Sequence, residues 1–327
     1  MKINHLFKFI LYFLVLLTLS TITFYYWASS SNHPEENYSQ LIENNYPQTL
    51  DKDSIYSLIT YNIGYLSGMT NNRAVAKTKQ LFDDNLAKVY NQLGKYDPDF
   101  ICFQEIDFYG KRSYFVNQQD ELQKLGYNYI FQAVNWDVNY LPFPYFPPSA
   151  HHGEIYSGQS IFSKYPLSDP ERIVLDRVAN SPFYVDAFYL DRLAQLSKTI
   201  INDKIIIIIN LHLEAFDKAT RDKQADFIVK LYNKYKDQHP VLLVGDFNSD
   251  IAYENAAINK IREIPGIGNA HFFVGNKEKT FPSASPQKRL DYIFYNTKFI
   301  ELINAEILTS FGESSDHLPL LMDFKLK

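Results

Sequence analysis

Hydrophobic positions along this chain form one long block and then many short ones. Lys2 and Lys8 precede an uncharged stretch from Phe9 to Pro34, and its apolar part runs from Phe9 to Trp27. That length is roughly what a bilayer core requires. A secretory signal usually carries only about 7–15 apolar residues, although Ala28-Ser29-Ser30 is small enough to be a cleavage site. An uncleaved membrane anchor over residues 1–31 is therefore expected, with secretion after cleavage as the alternative. The aromatic cluster Phe24, Tyr25, Tyr26 and Trp27 fits an interfacial belt, and Lys2 and Lys8 hold the N-terminus in the cytoplasm, so the rest is exported. Residues 32–53 are polar and aperiodic and are read as a linker. Residues 54–327 remain as a single domain without internal repeats.

Within that domain the periodicity switches between two and about three and a half. Phe82, Leu86, Val89 and Leu93 mark one helical face. Ala225, Ile228, Val229 and Tyr232 mark a second, with Asp217 as its expected N-cap. Strands are predicted at 55–63, 100–103, 127–134, 160–163, 204–210, 241–244, 290–295, 302–308 and 318–324. The isoleucine run 205–209 reads as a strand buried on both faces. Few helices and about ten strands predict two packed sheets with helices outside.

The polar residues that end these runs carry the functional signal. Asn62 ends the first strand, and Gln104-Glu105 ends the second. His212 follows the isoleucine run, and Asp246-Phe247-Asn248 follows the next strand. Asp291 lies inside Arg-Leu-Asp-Tyr-Ile, and Asp316-His317 precedes the last strand. Taken singly, each has an ordinary reading as a turn residue, a salt-bridged strand end or a core histidine. Their occurrence together is what needs explaining. Carboxylates and amide oxygens are hard ligands suited to Mg²⁺ or Mn²⁺. Amides and histidines beside them can bind phosphate oxygens and move protons. No serine or cysteine nucleophile motif is present, so the set reads as metal-assisted hydrolysis of a phosphoester.

Composition narrows this further. The chain has 32 Lys+Arg against 37 Asp+Glu, a formal charge of −5, which excludes binding to nucleic acid through a broad basic surface. It does not exclude cutting nucleic acid at a local site. The single cysteine, Cys102, excludes an internal disulfide and a cysteine-based zinc site.

The ordered segments ITYNIG, FICFQEID, INLHLEA, LLVGDFNSD, RLDYIF and SSDHLPL resemble the endonuclease/exonuclease/phosphatase superfamily, which includes DNase I-like nucleases and neutral sphingomyelinases. The resemblance runs from about Ile55 to Phe324. It implies a DNase I-like four-layer α/β sandwich, with two mixed β-sheets flanked by helices. It implies Glu105 as the main metal ligand, with Asn62 beside it and Asp316 completing the site. Asp246 and Asn248 would position the attacking water and the phosphate. His317, paired with Asp291, would be the base or orient the phosphate, and both Asp246 and His317 stay open as the base. His212 would contact the phosphate and protonate the leaving oxygen. Some members back this histidine with a carboxylate near GQSIFS, where this chain has Ser157 and Gly158, with Glu154 upstream.

The substrate is less legible. Trp136–Pro148 is dense in aromatics and proline, too proline-rich for a helix or central strand, and reads as a cover, a lipid-facing wedge or a base-stacking surface. His151 and His152 are adjacent and would point apart on a strand, so they make a poor metal pair. Three readings follow: a Mg²⁺-dependent phosphodiesterase acting on a phospholipid head group, a membrane-tethered nuclease, and a non-catalytic binding protein with the same fold. Nothing in the sequence points to a protein partner.

Overall fold

The computed structural model describes residues 2–47, 54–270 and 279–327. Its elements begin with α1 (Lys2–Ser29), β1 (Ser39–Glu43), β2 (Tyr56–Asn62), α2 (Lys79–Tyr96), β3 (Phe100–Gly110) and α3 (Gln118–Gln123). Then come β4 (Tyr129–Leu141), β5 (Gly153–Ser163), β6 (Leu167–Val174), α4 (Phe183–Asp186), β7 (Leu193–Ile201), β8 (Lys204–His212) and α5 (Lys218–Tyr235). The chain closes with β9 (Val241–Asp246), α6 (Ile258–Arg262), β10 (Ile267–Asn269), β11 (Asp291–Asn296), β12 (Ile300–Ile307) and β13 (Leu320–Leu326).

Two mixed sheets pack face to face. One has the order β1-β4-β5-β3-β2-β13-β12, the other β10-β11-β9-β8-β7-β6. Alternation along the strands builds the layers. Leu58, Ile206 and Ile208 face the shared core with Cys102, Leu242, Val244 and Phe324. Ile59 and Tyr61 face outward under Phe82, Val89 and Leu93 of α2. Ile207 and Ile209 face Ile228 and Tyr232 of α5. The isoleucine run is thus buried on both faces, as its lack of alternation predicts. Thr78 caps α2, and the Asp217 side chain accepts from Thr220 N at 2.7 Å to cap α5.

Each sheet holds one parallel pair at its centre. In β2–β3 the register sets Asn62 opposite Gln104. In β8–β9 it sets His212 opposite Asp246. Antiparallel β11 then brings Asp291 opposite Asp246. Parallel strands end together, so these registers alone gather the candidate residues at one end of the sandwich.

Two expectations change. Ser39–Glu43, read as part of a polar linker, is the edge strand β1, paired from Ser39↔Ala133 to Glu43↔Tyr129. Leu41 packs on the inter-sheet core and Ile42 on the outer layer, but five residues are too few to show a period. Positions 48–53 of that linker lie outside the described residues. Strand β4 also continues through Trp136 to Leu141, inside the segment judged too proline-rich for a central strand, and there it pairs with β5 alone. Its prolines all lie beyond the strand end, from Pro142 onward. Strands β6, β7 and β10 were not predicted, nor were the short helices α3, α4 and α6.

Gly245 is where the register is least tolerant of change. Its φ is +134°, and a Cβ there would sit 2.0 Å from Leu211 O, its cross-strand partner. Gly245→Ala should therefore cost at least about 2 kcal/mol, because neither the backbone angle nor the neighbouring carbonyl can give way cheaply. Urea denaturation would measure this, and a loss below about 0.5 kcal/mol would mean that β8 and β9 separate more easily than their packing indicates.

Candidate active site

Glu105 sits where β3 breaks its pairing with β5, between Phe103 and Ile106. Its φ is +52°, unusual for a residue with a side chain, and the bulge turns its carboxylate out of the ladder toward the strand ends. Asn71 Nδ2 donates to Glu105 Oε2 at 3.0 Å and to Asp316 Oδ1 at 3.2 Å, so one amide bridges two carboxylates. Burial raises the Glu105 pKa, and the nearby Asp316 charge raises it further. Asp316 itself follows Ser315, whose hydroxyl donates to Asn62 O at 2.8 Å and ties this loop to the end of β2.

Asp246 lies across from this pair. It accepts from Asn62 Nδ2 at 3.0 Å and from Asn248 N at 2.8 Å, which fixes both carboxylate oxygens. Burial pushes its pKa up to about 7, with Asp291 adding to the rise and His317 opposing it. His317 Nδ1 donates to Asp291 Oδ2 at 2.8 Å, leaving Nε2 3.8 Å from Asp246 Oδ2. Burial alone would lower the His317 pKa, but the carboxylates of Asp291 and Asp246 outweigh it and raise it well above the usual value. The two carboxylates therefore favour the imidazolium form. Phe281 closes over the ring at 4.9 Å between centroids.

His212 differs from His317. Arg192 Nη1 lies 2.7 Å from His212 Nε2. A guanidinium can only donate, so Nε2 accepts and the ring is neutral with its proton on Nδ1. Burial, with Arg192 beside it, pushes the His212 pKa well below the usual value. Arg192 is in turn held by Glu214 at 3.4 Å, and Tyr189 OH donates to the same carboxylate at 3.0 Å. Gln224 accepts from Glu214 N, and Arg221 donates to Glu214 O, so the helix α5 residues anchor this loop.

The structure brings every predicted site residue to one cleft end, with some contacts redistributed. Asn62 touches Asp246 rather than Glu105, and its Oδ1 accepts from Gly64 N at 3.1 Å. The amide against the Glu105–Asp316 pair is that of Asn71. Asn248 lines the cleft, with its Nδ2 donating to Leu213 O at 3.0 Å. Glu154 does not approach His212. It accepts from Asn32 Nδ2 at 3.0 Å, and Arg192 flanks the histidine instead. His151 and His152 are no metal pair. His151 Nδ1 lies 2.8 Å from Tyr140 OH, while His152 is buried against Phe143 and burial pushes its pKa down to about 2. Sequence reasoning missed Asn71, Arg192 and Glu214. The clue for Arg192 was a lone arginine entering an apolar strand, in a stretch where no strand was predicted.

Above these groups lies a cleft of about 870 Å³, with Tyr65, Trp136, Phe143, Tyr184, Phe188 and Phe216 among its walls. Two donor sets could receive a cation. Asp246, Asp291 and His317 offer ligand atoms within 4.8 Å of one another. Yet His317 Nδ1 and Asp291 Oδ2 already satisfy each other, so this group reads better as a proton-handling unit. Glu105 and Asp316 face each other with only the Asn71 amide between them. These hard oxygens in mutual repulsion fit Mg²⁺ or Mn²⁺.

The architecture is that of the DNase I-like α/β sandwiches. The chain belongs to the Endonuclease/Exonuclease/phosphatase family, whose model matches residues 59–317. A UPF0294 protein of Vibrio cholerae serotype O1 is 31% identical over 121 residues, which are 37% of this chain and 40% of that protein. The uncharacterized protein YbhP of Escherichia coli K12 is 27% identical over 186 residues, 55% of this chain and 65% of its own length. Among solved structures, the human Nocturnin catalytic domain with bound sulfate anion gives a TM-score of 0.58 at 19% identity, covering 90% of this chain and 100% of that one. The endonuclease/exonuclease/phosphatase from Bacteroides vulgatus gives 0.60 at 17%, covering 84% and 100%. Humanized D. rerio TDP2 gives 0.58 at 16%, also covering 84% and 100%. At these identities the structural likeness is one of fold.

The Arg192–Glu214 pair is buried on both sides. Arg192→Met should cost about 3 kcal/mol, because it leaves Glu214 charged and uncompensated. Adding Glu214→Gln should recover part of that loss. Thermal or urea unfolding of the four species of this cycle gives the coupling, and additivity within about 0.3 kcal/mol would show that the two groups do not depend on each other.

Proposed function

We propose that this chain is a divalent-metal-dependent phosphodiesterase that hydrolyses its substrate by in-line attack of water. The observation that carries the reading is the arrangement of the cleft floor: the Glu105–Asp316 carboxylate pair on one side, and Asp246 with the Asp291–His317 dyad on the other. Held by Glu105 and Asp316, a Mg²⁺ or Mn²⁺ ion would supply Lewis-acid stabilisation of the phosphoryl and leaving oxygens. The chain's own residues do the rest. Asp246, fixed by Asn62 and the Asn248 backbone, accepts the proton of the attacking water. His317, oriented by Asp291, donates to a non-bridging phosphoryl oxygen as charge builds there. As the new P–O bond forms, the bond to the leaving oxygen breaks, and that oxygen takes its proton from solvent. Cationic Arg192, positioned by His212 Nε2 and Glu214, holds the phosphate from the side of the second sheet. The neutral state of His212 argues for positioning rather than donation to the leaving group.

Membrane attachment belongs to the same reading. Helix α1 contains a 25-residue apolar stretch, His5–Ser29, whose apolar window is not covered by the rest of the chain. We assign it as the anchor that places the catalytic domain on the exported side of the membrane.

The test is a soluble activated diester such as bis(p-nitrophenyl) phosphate. EDTA should abolish its hydrolysis and Mg²⁺ or Mn²⁺ should restore it; activity untouched by chelator removes the metal. Glu105→Gln should weaken metal affinity, so excess Mg²⁺ partly restores the rate. Mg²⁺ should also raise the Tm of the parent but not of Glu105→Gln, a readout independent of turnover. Asp246→Ala should lower kcat by about 10²–10⁴-fold, and retention of half the activity would take Asp246 out of the base role.

A further inference from the structure

Helix α1 and the catalytic cleft share one set of aromatic side chains. The last turns of α1 lie on β4 and on the short helix α4. The Phe24 ring is 6.0 Å from Tyr140, and Trp27 stacks on Tyr140 at 6.2 Å. Tyr25 meets Phe183 at 5.8 Å and Phe188 at 5.9 Å, edge to face. Asn139 N donates to Ser30 O at 3.0 Å and Asn139 Nδ2 to Trp27 O at 3.1 Å, while Tyr25 OH donates to Phe183 O at 3.3 Å. Ala28 is fully buried in this contact. The small residues that resemble a cleavage site thus have a packing reason: they let the helix approach β4.

The segments that receive α1 also wall the cleft. Leu141, Phe143 and Tyr145 follow Tyr140, and Tyr184, Phe188 and Tyr189 surround the second contact. The anchor is therefore not tethered at a distance from the site. It is docked on the cleft's rim.

Length fixes the height of the membrane. Lys8 stays outside the core, so the span begins at Phe9; about 20 residues at about 1.5 Å each cross about 30 Å of bilayer core, and the helix leaves the core near Ala28. Phe24, Tyr25 and Trp27, whose rings meet the rim, therefore lie in the last turns of the span. At that level the rim leaves large aromatics bare: Tyr145 is 74% exposed, Phe146 79%, Phe183 73% and Phe216 83%. Aromatic residues favour the polar–apolar boundary of a bilayer. The net charge of −5 offers no comparable attraction for a long polyanion.

We propose that the cleft opens directly onto the bilayer that α1 spans, that Phe146 and Phe183 enter its interface, and that the substrate is a phospholipid of that bilayer. Its head-group phosphate reaches the Glu105–His317 floor while its chains stay in the membrane. The substrate part rests on the phosphodiesterase reading above; the surface contact does not.

The experiment uses the full chain reconstituted with Mg²⁺ in vesicles of phosphatidylcholine, phosphatidylglycerol and sphingomyelin. Cys102 is the only cysteine and is buried, so single-site labels can be introduced at Phe146→Cys and Phe183→Cys, with Lys327→Cys at the opposite end of the sandwich as control. An environment-sensitive dye at 146 and 183 should be quenched by brominated lipid, and the dye at 327 should not; equal quenching at all three sites overturns the surface contact. Head-group phosphate should be released from the vesicles. The Phe146→Ser/Phe183→Ser variant should lose at least about tenfold of that rate while its hydrolysis of bis(p-nitrophenyl) phosphate stays within about twofold. If the soluble diester is cleaved but vesicle lipid is not, or plasmid DNA is cleaved in its place, the lipid assignment fails and the phosphodiesterase reading stands. If no phosphodiester is cleaved, both fail.

Discussion

The geometry of this molecule depends on a buried amide network between its two sheets. Gln104 Nε2, in the middle of β3 just before its bulge, donates to Asn210 Oδ1, near the end of β8, at 2.6 Å. Asn210 Nδ2 in turn donates to Phe103 O at 3.0 Å and Gln195 Oε1 at 3.1 Å. Gln159 Nε2 also donates across to Asn210 O, Gln195 Nε2 to Phe131 O and Asn62 Nδ2 to Asp246 Oδ2, so polar bonds pin an otherwise apolar interface at several points. Directional bonds in a low-dielectric interior fix position as well as distance. Glu105 lies one residue beyond Gln104, and His212 lies two beyond Asn210. The network therefore sets the separation of the two halves of the site.

That site is crowded with negative charge that water reaches poorly. Glu105, Asp316, Asp246 and Asp291 converge within a few ångströms, and the protein answers with one imidazolium, one guanidinium and two amides. The Asp246–Asp291 side is close to balanced because His317 pairs directly with Asp291. The Glu105–Asp316 side is not, since Asn71 provides a dipole and no charge. An imbalance built from hard oxygens is what a divalent cation relieves. On the proposed reading the two sides would divide the work: one would hold a cation, the other would handle a proton and a phosphoryl oxygen.

Family membership gives the fold and a generally hydrolytic class but not the substrate, because the same fold hosts several chemistries. Above the cleft floor lies its ceiling. An aromatic-walled cleft, bare rings around its mouth, and an apolar helix docked on the same rings form one continuous surface. On the proposed reading the floor would carry the chemistry and the rim would select what comes near it.

Much was readable in advance. The period-two runs, the helical faces of α2 and α5, the Asp217 cap and the polar ends of β2, β8 and β9 follow from local rules of side-chain direction and hydrogen bonding, whereas Gln104 and Glu105, read as a strand end, stand inside β3, which runs on to Gly110. The sequence by itself therefore determined the sandwich, the family and the identity of the groups on the cleft floor. It did not determine their partners. Whether Asn62 or Asn71 stands beside Glu105, whether His212 carries a proton, and that Arg192 reaches His212 at all depend on contacts between residues far apart in the chain. The edge strand β1 and the extension of β4 were illegible for the same reason, since each is stabilised by pairing rather than by its own pattern. The docking of α1 on the cleft rim belongs to this class too. Local periodicity reports which way a side chain faces, and only the packed structure decides what it meets there.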